Sequence, residues 1–202
     1  MSSPNPSLSQ VSGVVLAGGA ARRMGGEDKG LLPLNGRPLI AHIIERLQPQ
    51  CAKLAINCQI QQDGYAAFGL PLLHDSLPGR LGPLAGLLTA MEQAETEFVL
   101  TVPCDTPFLP IDLVSRMLAA LQQSGAALCS VSDGERMHPV FMLARREGHP
   151  ALRQYLLSGQ RKVHHWFCSQ SHCLCDFSDQ PEAFFNINTP EQLHAAKDAD
   201  HD

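Results

Sequence analysis

Apolar positions along this chain follow two rhythms. Short apolar runs bounded by turn residues read as buried strands, and stretches with apolar positions three or four apart read as helices. Residues 12–16 (SGVVL) form a predicted strand that feeds straight into a glycine-rich loop. Residues 38–47 (PLIAHIIERL) have helical spacing, with Pro38 acceptable in a first turn. Further strands are predicted at 53–57 (KLAIN), 70–74 (LPLLH), 97–102 (EFVLTV) and 126–131. A helix is predicted at 84–94, opened by Gly82-Pro83, and an amphipathic one at 111–122. The last third is less regular. It offers a strand at 138–143 (HPVFML), a helix at 149–157, and a closing helix at 190–199 capped by Thr189.

Strands alternating with helices imply an α/β fold, a mostly parallel sheet with helices on both faces. In open sheets of this kind, ligands bind outside the carboxyl ends of the strands. That rule selects the segment from Ala17 to Lys29 after the first strand, Asn57 after the second, Asp75 after the third and Asp105 after the fourth. These four places should meet at one edge.

Composition agrees with one globular domain. The chain has 202 residues, 44% of them hydrophobic and 17% charged, enough for a substantial core without disulfides. Residues 1–10 (MSSPNPSLSQ) carry neither a basic nor an apolar signal segment and read as a disordered lead-in to a domain at 11–199. A net charge of −5 argues against a nucleic-acid binder, and no apolar run approaches a membrane span. Seven cysteines, an odd number without a secretory signal, argue against a disulfide framework. A cytoplasmic location and a monomer are expected.

The richest chemistry lies between Leu16 and Lys29. Gly18 and Gly19 would let backbone N–H groups approach phosphate oxygens, and Arg22, Arg23 and Lys29 would supply positive charge. Lys29 is followed by Gly30, so the segment is not a Walker A loop, and it is not G-x-G-x-x-G either. The alternative is a flexible loop with solvated basic residues. Asp105, directly after a buried strand, could hold Mg²⁺ together with substrate phosphates, or could simply occupy a turn. Asp75 could bind a base, a ribose or the metal and Asn57 a base edge, or both are turn formers. Gly82 to Gly86 opens a helix whose N-terminus would favour an anion, or whose glycines serve only close packing on the sheet. His164, His165, Cys168, His172, Cys173 and Cys175 could form a zinc site, although their spacing lacks paired C-x₂-C units.

The run Leu16, Gly18, Gly19, Arg23, Met24, Gly25 and Lys29 resembles the phosphate loop of the molybdenum cofactor guanylyltransferases. Similarity continues through Asp75-Ser76, Gly82-Pro83-Leu84-Ala85-Gly86, Pro103-Cys104-Asp105-Thr106-Pro107, Asp133-Gly134-Glu135-Arg136 with His138-Pro139, Asp176 to Asp179, and Asn186 to Glu191. The resemblance implies a Rossmann-like nucleotidyltransferase fold and transfer of GMP from GTP to molybdenum-loaded molybdopterin. It implies that Leu16, Ala17, Gly18 and Gly19 line the guanine and phosphate site, that Lys29 contacts phosphate, and that Asn57 and Asp75 help hold the nucleoside. It further implies that Asp105 binds nucleotide and Mg²⁺, that Arg23, Lys29 and Asp105 act in catalysis, and that Asn186 and Asn188 face the pterin. Cofactor-biosynthesis proteins and molybdoenzyme chaperones are expected partners. The rivals are a cytidylyltransferase acting on molybdopterin or on a sugar or polyol phosphate, and a non-catalytic nucleotide-binding delivery protein.

Overall fold

A computed structural model describes residues 8–18, 28–58, 63–189 and 192–193. Gly19 and Arg23 lie outside these residues, as does the predicted closing helix apart from residues 192–193.

Within the described residues the expected strands and helices form, most with ends moved by one or two residues. β1 (Val11–Leu16) is buried through its first five residues and is central. It pairs in parallel with β4 (Lys53–Asn57), Leu16 facing Asn57, and with β6 (Phe98–Pro103), Leu16 facing Pro103. Between β1 and β4 the chain makes a small hairpin, β2 (Pro33–Leu34) and β3 (Arg37–Pro38). Its turn is Asn35-Gly36, both at positive φ as a tight hairpin requires. α1 (Leu39–Leu47) therefore starts one residue after Pro38, which is used in the hairpin.

β5 shrinks to Leu72–Leu73 and pairs with the end of β4. α2 (Pro83–Gln93) begins at Pro83 after Gly82, whose φ of 77° suits glycine. α3 (Leu113–Ser124) ends on left-handed Gly125. β7 (Leu128–Ser132) and β8 (Met137–Arg145) follow, then α4 (His149–Leu157), α5 (Val163–Ser169) and β9 (His172–Asp176).

The main sheet has the order β5-β4-β1-β6-β8-β7-β9. All neighbours are parallel except around β8, which runs against both β6 and β7. Because β8 alone is reversed, the carboxyl ends of β1, β4, β6, β7 and β9 share one edge. Apolar residues alternate along the strands and bury both faces. Val15, Val102 and Phe141 pack under α1 and α3 through Ile43, Leu47, Met117 and Leu121. Val14, Val99 and Met142 pack under the remaining helices through Leu84, Met91, Leu152 and Trp166.

The His- and Cys-rich stretch departs from the zinc-site alternative. It forms α5 and the edge strand β9. The β9 alternation turns Cys175 into the core and leaves His172 and Leu174 exposed on the other face. Cys168 Sγ lies 3.6 Å from His164 Nε2 on the exposed side of α5. Among the described residues, no three His, Cys, Asp or Glu side chains gather in a way that could hold a metal ion. No described helix is long and apolar enough to cross a membrane.

Candidate active site

Three strand ends are stitched together at the shared edge. Ala17 N donates to Asn57 O at 2.8 Å, and Cys104 N donates to Leu16 O at 3.2 Å. Above them opens a cavity of about 430 Å³, the size of a small-molecule site. Leu16, Ala17 and Gly18 form its floor. Asn57, Asp75 and Arg80 line it with Gly82 and Pro83 from the start of α2, while Lys29, Asp105 and Asn186 line it from the β6 side. The residues selected from four separate strand ends thus do converge.

Lys29 sits in a short 3-10 turn, Lys29–Leu31, capped by Asp28, whose Oδ1 accepts from Gly30 N at 3.3 Å. The same carboxylate oxygen accepts from the hydroxyl of fully buried Tyr65. Gly30 is required here, because a Cβ would come within 2.5 Å of the Tyr65 oxygen. The turn delivers the Lys29 ammonium to Asn188, whose Oδ1 accepts from it, and to within 3.6 Å of Asp105 Oδ2.

Asp105 is only 8% exposed, and its Oδ1 is buried with no hydrogen-bond partner among the described residues. Burial raises its pKa above the ordinary aspartate value, and the Lys29 charge opposes that rise. An isolated buried carboxylate oxygen is unfavourable unless a cation or donor meets it. Cys104, next door, is no candidate nucleophile: its thiol is buried and its pKa pushed up.

The segment after Phe184 closes the site. Ile187 N donates to Asp105 O at 2.8 Å, and Thr106 Oγ1 donates to Asn186 Oδ1 at 3.3 Å. Asn188 N donates to Gln192 Oε1 at 2.7 Å, and Gln192 N donates back to Thr189 Oγ1 at 3.2 Å. This is a reciprocal cap, as Thr189 predicted. Asn186 and Asn188 therefore stand beside Asp105 and Lys29. Across the cavity, Asn57 Nδ2 donates to exposed Asp75 Oδ1 at 3.0 Å.

Sequence reasoning missed Tyr65, Thr106, Gln192 and Arg80. Gln192 had a signal, since Thr189-x-x-Gln192 is a capping-box spacing. Asp28 before the Lys29 turn had one too, as an N-cap residue. Tyr65 had none.

The set can hold a polyphosphate against a cation and a helix N-terminus, and can offer one buried carboxylate to a metal. A profile of the MobA-like NTP transferase domain matches residues 13–173. The molybdenum cofactor guanylyltransferase of Shewanella loihica is 48% identical over 190 residues, which covers 94% of this chain and 97% of the relative. That of Shewanella halifaxensis is 49% identical over 183 residues, 91% of this chain and 92% of the relative. The fold matches a crystal structure of molybdopterin-guanine dinucleotide biosynthesis protein A from Archaeoglobus fulgidus, with a TM-score of 0.76, 19% identity, and coverage of 93% of this chain and 97% of that one. The chain belongs to the MobA-like NTP transferases, among the molybdenum cofactor guanylyltransferases.

Proposed function

We propose that this chain transfers GMP from GTP to the terminal phosphate of molybdenum-loaded molybdopterin, releasing pyrophosphate. The supporting observation is the pairing of Lys29 with Asp105, whose buried Oδ1 has no partner among the described residues, at the strand ends of a chain so similar to enzymes of that name. Mg²⁺ suits the donor set, because it is usually held by one or two carboxylates with substrate phosphates completing the shell. Asp105 would hold it, and when bound it would offset charge on the triphosphate.

The chain's own residues then do the following. Leu16, Ala17 and Gly18 form the bed for guanine and the nearest phosphates, with Gly19 assigned there by sequence. Asn57 and Asp75 hold the nucleoside. Lys29, oriented by Asn188, contacts the phosphates of the departing pyrophosphate, and Arg23 is assigned the same task by sequence. Asn186, steadied by Thr106, faces the acceptor. An acceptor phosphate oxygen attacks the α-phosphorus, and the bond from that phosphorus to the β-bridging oxygen breaks. A phosphate is already a nucleophile at neutral pH, so no strong general base is needed. Alignment and charge neutralisation carry the rate. The cytoplasm, where GTP is made, is the proposed place of reaction.

The test is pyrophosphate release by the full chain with Mg²⁺, molybdenum-loaded molybdopterin and each of the four NTPs. Release with GTP that requires the acceptor supports the proposal. Preference for CTP would overturn the base assignment, and no release with any nucleotide would favour a delivery protein.

A further inference from the structure

The shared edge does not end at the nucleotide cavity. A second cavity of about 610 Å³ lies farther along it, between the turn after β7 and the chain after β9. Glu135, Arg136, Ser178, Glu182 and Phe185 line it, with Asp133 at its base. The order β6-β8-β7 places the end of β7 two strand spacings, or about 10 Å, from the end of β6. The chain after β9 joins the two cavities: Phe185 lines the second and the next residue, Asn186, lines the first.

This second cavity has a hydrogen-bonded base and exposed walls. Asp133 Oδ1 accepts from the backbone N–H groups of Glu135 and Arg136 at 2.9 and 2.8 Å, and Oδ2 lies 2.6 Å from His138 Nε2. The His138 ring packs on Phe184 at 5.4 Å, which ties the β7–β8 turn to the segment carrying Phe185 and Asn186. Phe185 is 43% exposed, an unusual placement for so large an apolar ring. Glu135 and Glu182 are exposed, and neither has an ion-pair partner among the described residues.

We propose that this second cavity receives the heterocyclic end of the acceptor, a pterin, while the acceptor's phosphate reaches past Asn186 to the nucleotide cavity. The inference rests on the function proposed above. A pterin offers a flat face for Phe185. Its 2-amino-4-oxo-pyrimidine edge carries adjacent N–H donors, which a carboxylate of Glu135 or Glu182 accepts as a pair. The two-strand offset matches a ligand that must hold its ring system and its reacting phosphate in neighbouring cavities.

The test uses the full chain with MgGTP and molybdenum-loaded molybdopterin, and the variants Phe185→Ala, Glu135→Gln and Glu182→Gln. Phe185→Ala should raise the acceptor KM about tenfold, the scale of losing one aromatic stack, with the KM for GTP within about twofold of wild type. At least one Glu→Gln variant should raise the acceptor KM in the same selective way. 6-Hydroxymethylpterin should compete with the acceptor and not with GTP, and quenching of its fluorescence by the protein should weaken in Phe185→Ala. An unchanged acceptor KM in all three variants, or competition of the pterin with GTP, would overturn the inference. If wild type releases no pyrophosphate at all, the proposed function fails, and the pterin titration alone then decides the cavity: selective loss in Phe185→Ala upholds it, equal binding rejects it.

Discussion

Gly86→Ala separates the fold from the site. Gly86 lies in the buried first half of α2, against the floor of the nucleotide cavity. A Cβ there would sit 2.6 Å from Asn57 Oδ1 and 2.6 Å from Leu16 Cδ2. Both atoms are ends of side chains that line the cavity, so they have space to turn into it. Overpacking of this kind costs about 1–3 kcal/mol when nothing yields. Yielding tips bring it to the low end, and the helical Gly→Ala gain of about 0.5–1 kcal/mol offsets much of that. The net change in stability should therefore stay within about 1 kcal/mol, a Tm shift of no more than about 4 °C for a chain of this size. The nucleotide is affected more. A displaced Asn57 loses its 3.0 Å bond to Asp75 and intrudes on the nucleoside wall. Misplacing the Asn57 amide that is proposed to hold the nucleoside removes one hydrogen bond to it, at about 1 kcal/mol, which weakens GTP binding by roughly fivefold, and the steric intrusion adds to it. Thermal denaturation and a calorimetric GTP titration measure the two effects on one preparation. Unchanged GTP affinity would refute this reading of the cavity wall, and a fall in Tm beyond about 8 °C would refute the claim that the tips yield.

Other substitutions probe the charged side. Asp105→Asn should stabilise the chain free of nucleotide by about 1 kcal/mol at pH 7 while abolishing transfer, since it removes a carboxylate whose ionised form burial disfavours. Because the folded-state pKa of Asp105 is raised, that gain belongs to the pH range above it and should vanish as pH falls to the ordinary value near 3.8. Thermal melts at several pH values check both statements, and a variant less stable than wild type at neutral pH would contradict them. Lys29→Gln removes the charge that holds the Asp105 pKa down, so the acid limb of kcat/KM for MgGTP should move to higher pH. A limb that stays put or moves down would detach Lys29 from Asp105. Tyr65→Phe takes a donor from the half-buried Asp28 cap and should cost about 2 kcal/mol, seen as a lower Tm with a raised KM for GTP. An unaltered melting curve would refute that role.

Much of the frame was legible because burial writes itself as period. β1 and β4 lie where their apolar runs lie, and α4 spans 149–157 as its spacing predicts. The strand-end rule brought Ala17, Lys29, Asn57, Asp75 and Asp105 to one cavity without any contact being known. The direction of β8 was not legible. An apolar run reads the same whichever way it pairs, and only the short link from Ser132 to Met137 forces β8 back against β7. α5 and β9 were hidden because their histidines and cysteines look like ligands, although Cys173 and Cys175 share one strand face with a buried partner side. Contacts such as Lys29 to Asn188, or Tyr65 to Asp28, join distant parts of the chain through the fold, and no local pattern announces them.

The central claim is that Lys29 and Asp105 direct transfer of the α-phosphoryl group of GTP to a pterin phosphate. GTP labelled separately at the α- and γ-phosphates, incubated with Mg²⁺, molybdenum-loaded molybdopterin and the full chain, tests it most directly. The α-label should enter a pterin-containing product, the γ-label should leave as pyrophosphate, and both transfers should disappear in Asp105→Asn. α-Label recovered as free GMP, or transfer undiminished in Asp105→Asn, would contradict the account.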